Sequence, residues 1–124
     1  MPSPALECEA DLLTILRDVL ALARHGSFQV ASRRFGELRL EDGRHQRLEL
    51  AALRPLGRKQ DRLAASRSRL LRLEAACATA LERGACAEYE VAAEALEQEL
   101  RAHAALEEKL NRSLQQATGR SAPV

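Results

Sequence analysis

An all-α fold, two long helices folded back on one another as an antiparallel coiled-coil hairpin, is what this sequence predicts, and three observations carry it. Apolar residues make up 46% of the chain but aromatics only 2%, and a core of Ala and Leu suits a narrow helical seam better than a wide globular interior. Apolar positions recur at helical spacing along most of the length. Six glycines, four prolines and few β-branched residues argue against a sheet. At 124 residues one domain is expected: a single helical hairpin over 1–124, with 1–4 and 118–124 as disordered tails.

Pro2 and Pro4 end the leading tail. From Ala5 to about Arg24, the residues Leu6, Leu12, Leu13, Ile15, Leu16, Val19, Leu20 and Leu22 form a broad helical stripe. Gly26 and Ser27 break this helix or bend it. Phe28, Ala31, Phe35 and Leu38 then resume at spacings of 3, 4 and 3, a short heptad seam. Gly43 weakens the helix by about 1 kcal/mol relative to Ala; Leu48 and Leu53 continue it to Arg54, where Pro55 disfavours further helix. A second helix starts near Arg58 and holds one heptad phase through Leu63, Leu70, Leu73, Cys77 and Ala80. Gly84 occupies the next seam position. Beyond it Tyr89, Ala92, Leu96, His103, Leu106, Leu110 and Ala117 keep a new phase, and such a shift unwinds or bends a coiled coil.

Reversal at Pro55 and Gly57 places residue i beside residue 112 − i. Leu6 then faces Leu106, Leu16 faces Leu96, Leu20 faces Ala92, Phe28 faces Gly84 and Phe35 faces Cys77, with large against small at both phenylalanines. Arms of about 50 residues would make a rod of about 70–80 Å. The expected seam is Leu16, Leu20, Phe28, Phe35, Leu70, Cys77 and Leu96.

Charge is segregated along the chain. Residues 39–72 carry ten basic and four acidic side chains, a net of +6, whereas 1–23 carry −3 and 88–108 carry −6. A hairpin therefore has a basic tip, with Arg44, Arg47, Arg54, Arg58, Lys59 and Arg62 as the candidate partner-binding residues, and an acidic open end. Basic residues are Arg seventeen times and Lys twice; arginine reads phosphate and carboxylate well, but a GC-rich genome, which also favours Ala, Leu and Gly, is the plainer cause of the bias.

No basic leader and no apolar run of membrane-spanning length is present, so a cytoplasmic protein is expected. Cys8, Cys77 and Cys86 are odd in number and widely spaced, which suits reduced thiols. Glu99, His103 and Glu107 share one helical face and could seat a metal, but His103 falls on the seam, where a buried histidine is the plainer expectation. No nucleophile elbow, zinc-protease, phosphate-loop or dinucleotide motif occurs. A non-enzymatic protein without catalytic residues, cofactor or metal is therefore expected.

Two resemblances add to this. Residues 23–36 (ARHGSFQVASRRFG) resemble the first half of a LysR-type helix-turn-helix, although 37–44 lack the short turn and Ser/Gln/Pro-rich helix start that should follow. Residues 20–53, with ASRRFGELR at 31–39, are similar to the N-terminal helix of the FliJ/YscO family, the soluble stalk proteins of flagellar and virulence type III export. That family carries an Ala-x-Arg-x-Leu-Gly-Glu-Leu/Met-Arg-like stretch in a long helix ahead of a turn and a second long helix. The resemblance implies an antiparallel coiled coil entering a hexameric export ATPase, coupling it to the export gate and handling export chaperones, at the periphery of a membrane-bound complex. The family places gate-binding aromatics just before the turn; residues 48–55 have none, and no gate-binding residue carries over. The expected function is a stalk or adaptor of type III protein export working through protein–protein contacts. The alternatives are a FlgN-like export chaperone that binds a secreted subunit, and a small LysR-like DNA-binding protein.

Overall fold

The computed structural model describes the backbone of residues 4–121 and the side chains of residues 6–116. The chain is all-helical as expected, but each long arm is divided at its glycine. Among the described residues there are four α-helices: α1 (Pro4–Arg24), α2 (Phe28–Leu53), α3 (Asp61–Glu82) and α4 (Cys86–Ser121). A 3₁₀ turn, Arg54–Gln60, joins α2 to α3. Pro4 and residues 118–121 thus belong to helices rather than tails; residues 1–3 and 122–124 lie outside the described residues.

The breaks have one cause. Gly26 sits at φ +77° and Gly84 at φ +64°, the left-handed conformation that caps a helix and that glycine adopts without a Cβ clash. The same pair of bonds closes both ends. The amides of Ser27 and Gly26 donate to the carbonyls of Leu22 and Ala23 at 2.9 and 3.0 Å. Those of Ala85 and Gly84 donate to Ala80 and Leu81 at 2.9 and 3.1 Å. This is the Schellman arrangement, which ends a helix outright rather than bending it.

Each reversal folds a helix back on its neighbour. α1 runs antiparallel along α2, where Arg34 Nη2 meets Asp18 Oδ2 at 3.0 Å. α4 runs along α3, where Arg69 pairs with Glu99. α1 also packs on α4, with Arg24 Nη2 2.6 Å from Glu90 Oε1, and α2 on α3, with Arg67 Nε 3.0 Å from Glu49 Oε1. The result is a bundle of four helices alternating in direction. At 26 residues α2 spans about 39 Å, near half the expected rod length.

The breadth of the α1 stripe explains why two helices do not suffice. Leu12, Leu13, Ile15, Leu16 and Val19 are all buried, and a stripe wider than a two-residue-per-heptad seam needs more than one neighbour to cover it. The core draws on all four helices. Leu16, Phe35, Leu70, Cys77 and Leu96 lie within it, and Leu20 and Phe28 pack against its edge. A second apolar cluster of Leu53, Leu63 and Leu110, flanked by Leu56, Leu106 and Leu114, closes the turn end.

The expected turn and part of the expected register hold. Pro55 opens the 3₁₀ turn and Gly57, at φ +54°, reverses it. A Cβ at Gly84 would lie 3.7 Å from two ring carbons of Phe28, so that facing pair is real. Leu6 is 41% exposed while Leu106 packs at the turn end. The helix-turn-helix reading fails on α2, which runs unbroken from Phe28 through Gly36 to Leu53 and leaves no separate recognition helix. Among the described residues no helix is long and apolar enough to cross a membrane.

Candidate functional site

Two features stand out, one at the turn end and one inside. Arg54, Arg58 and Lys59 lie in the 3₁₀ turn and Arg62 in the first turn of α3, with Arg44 and Arg47 about two turns back on α2; all six are exposed. Arg44 pairs with Glu41 at 3.0 Å. The other five make no ion pair among the described residues. Only Asp61 offers an acid in the first turn of α3, and the positive end of that helix dipole adds to the basic charge instead of offsetting it. The six residues expected to bind a partner therefore form one exposed basic end.

The interior feature was not legible as a site in the sequence. Asp42, Gln46, Glu49, Ser66, Glu74, His103 and Glu107 are all buried, with His45 and Arg67 beside them. Buried polar groups persist only when paired, and here most are. Glu49 on α2 has its Oε1 taken by Arg67 Nε at 3.0 Å and its Oε2 by His103 Nε2 at 3.0 Å. His103 on α4 holds Ser66 Oγ of α3 with its Nδ1 at 2.9 Å. His45 Nε2 lies 2.9 Å from Glu107 Oε2 and 3.8 Å from Glu49 Oε2. Gln46 Nε2 donates to Asp42 Oδ2 at 2.7 Å. A cavity of about 20 Å³ adjoins these groups, lined by Cys8, Asp42, His45, Leu100, His103 and Glu107 among others.

Environment sets the charge of each group. Contact with Cys8, then with Glu107, pushes His45 up to about 10, so it is an imidazolium at neutral pH. Burial alone would raise Glu49, yet its bonds from His103 and Arg67 hold it below the ordinary carboxylate value. Burial lifts Glu107 above that value against the pull of His45. Farther along, burial and then a hydrogen bond with Asp42 raise Glu74 to about 9, while Arg39 Nε stands 3.9 Å off.

Ser66, His103 and Glu49 are ordered as nucleophile, base and carboxylate would be, but Ser66 is 2% exposed. The adjoining cavity has His103 but neither Ser66 nor Glu49 in its lining. Ser66 Oγ is closed off from solvent, whereas the inward-facing donors converge on one point. One donor atom from each of His45, Glu49 and Glu107 lies within 4.8 Å of the others.

The sequence grouped Glu99, His103 and Glu107, but Glu99 turns to Arg69 while the other two point inward. A signal for this layer did exist. The seam from Phe28 to Leu38 continues without a break through Asp42, His45 and Glu49, and polar residues in an otherwise apolar register mark an interior polar layer. A second signal is internal: Gly84, His103 and Glu107 follow Gly26, His45 and Glu49 at one constant interval, and Ser66 follows Cys8 at the same one. The two halves of the bundle thus correspond, and each histidine meets the glutamate of the opposite half. No protein-family model, no curated protein and no solved structure matches the chain.

Proposed function

We propose that the chain is a non-catalytic helical adaptor that docks an acidic protein surface with its basic end, and that it does so within a type III protein export apparatus. One observation carries the docking half: five of six exposed cations at the turn end make no ion pair among the described residues, so their field is directed outward. Such a patch steers association and falls off with salt. Support for the export half is the resemblance over residues 20–53, together with a turn at Pro55 and Gly57 that ends a pair of antiparallel helices. The family role implied is contact with the export ATPase and gate. The short, thick bundle also suits a FlgN-like chaperone that holds a secreted subunit, and this second reading predicts a different partner.

The test uses the full chain, with the export ATPase, the cytoplasmic part of the export gate and the secreted subunits of the same cell as candidate partners. Reversing Arg47, Arg54, Arg58, Lys59 and Arg62 to Glu should abolish binding to the ATPase while far-ultraviolet circular dichroism stays unchanged. Binding that survives reversal rejects the basic end. Binding only to a secreted subunit transfers the assignment to the chaperone reading, and binding to none of them rejects export.

A further inference from the structure

We propose that His45, Glu49 and Glu107, with His103 as fourth donor, form a buried site for one divalent transition-metal ion, Zn²⁺ in the first place. The inference is independent of the basic end and of any role in export.

Four observations converge. The donors come in two matched pairs on facing helices, His45 with Glu49 on α2 and His103 with Glu107 on α4, each pair one helical turn apart. Their inner atoms face one another. His45 Nε2 is 2.9 Å from Glu107 Oε2 and 3.8 Å from Glu49 Oε2, and His103 Nε2 is 3.0 Å from that same oxygen. A tetrahedral ion with bonds of about 2.0–2.1 Å holds its ligands about 3.3–3.4 Å apart; these three spacings lie near that value, and the donor atoms of His45, Glu49 and Glu107 all lie within 4.8 Å of one another. His103, which touches the group through Glu49 alone, would have to move inward to complete a four-donor site.

The outer atoms are held as a metal site requires. Arg67 takes Glu49 Oε1 and Ser66 takes His103 Nδ1, which fixes one carboxylate in a single-oxygen pose and one imidazole with Nε2 inward. Cys8 stands against His45, at the position in the first half that Ser66 holds in the second. Such outer contacts orient ligands and govern affinity. Finally, a cavity of about 20 Å³, large enough for one water or one smaller bare cation, is lined by His45, His103 and Glu107, with Glu49 just outside its lining.

Without metal, His45 holds Glu107 at 2.9 Å and Arg67 holds Glu49 at 3.0 Å. A bound ion takes over that role: it coordinates His45 Nε2 and the proton on that ring leaves to solvent. Two imidazoles and two carboxylates are an acceptable donor set for Zn²⁺ and for its spectroscopic substitute Co²⁺. Binding should therefore release protons and weaken as pH falls.

The experiment uses the untagged full chain stripped with a chelator. Titration calorimetry with Zn²⁺ should show one site per chain, with an enthalpy that varies with buffer ionisation as protons are released. Co²⁺ should give the intense visible bands of a four-coordinate ion, and the melting temperature should climb with added Zn²⁺. His45→Asn and Glu107→Gln should each weaken binding at least about 10-fold and Ser66→Ala about 10-fold, while His25→Asn, on an exposed residue, leaves it unchanged. Melts of the metal-free variants establish which fold, and either of the first two suffices. Absence of a saturable site in the parent chain overturns the proposal. So does binding unaltered in a folded His45 or Glu107 variant, or lost equally in the His25 variant; a six-coordinate Co²⁺ spectrum overturns the four-donor site.

Discussion

Glu74 has a carboxyl group on α3 with 2% exposure and one oxygen, Oε2, that meets no donor. A proton resolves this, because a neutral Glu74 can donate to the Asp42 carboxylate, and burial with that bond raises Glu74 to about 9. The sign follows from linkage. Between an unfolded value of about 4.5 and the folded value, the unfolded chain releases the proton and the native one keeps it, so this group's contribution to stability is complete at low pH and drains away as pH rises towards 9. Glu74→Gln should therefore raise stability at pH 8 by at least about 1.4 kcal/mol, a tenfold change in the folding equilibrium. It should also flatten the decline between pH 5 and 8, as read by urea unfolding at both. Identical slopes for parent and variant would show that Glu74 is ionised in the fold.

At the scale of elements, the two Schellman ends decide the architecture, and they separate what the sequence discloses from what it hides. The helical stripes, the turn at Pro55 and Gly57, the contact of Phe28 with Gly84 and the basic end were all readable, because each follows from periodicity or from local backbone chemistry. Whether Gly26 and Gly84 bend or stop a helix was not, because glycine serves both purposes and the choice rests on how much apolar surface waits to be covered. The polar layer escaped for a related reason: Asp42, His45 and Glu49 keep the seam register, but their polar side chains hide it until α1, α3 and α4 close over them. The glycines can be told apart by substitution. Gly84→Ala meets only an ordinary contact with Phe28 but demands a left-handed backbone, which should cost about 1–2 kcal/mol. Gly36, inside α2 with nothing within 4 Å of an added Cβ, should instead gain about 0.4–1 kcal/mol as Ala. Opposite signs in urea unfolding are expected; equal signs would mean that the chain does not stop and restart at Gly84.

For the whole molecule, the buried layer fixes which bundle forms. An Ala/Leu interior alone tolerates sliding of one helix past another by a heptad, since most core positions are interchangeable in size. Sliding α4 against α2 would separate His103 from Glu49 and Glu107 from His45 and strand charged groups in the interior, at a cost of several kcal/mol. The correspondence between the halves reinforces this, because both cross-pairings break together. One distance distinguishes the resulting bundle from an extended two-helix rod. Asp18 and Arg34 touch across the α1–α2 reversal at 3.0 Å, whereas along a continuous helix the same 16 positions would span about 24 Å. Spin labels placed there by non-cysteine chemistry, which leaves Cys77 undisturbed in the core, should give a distribution centred below about 15 Å. A centre near 24 Å or beyond would mean that α1 continues into α2, and the four-sided polar layer would then lack the helix that covers its Cys8 side.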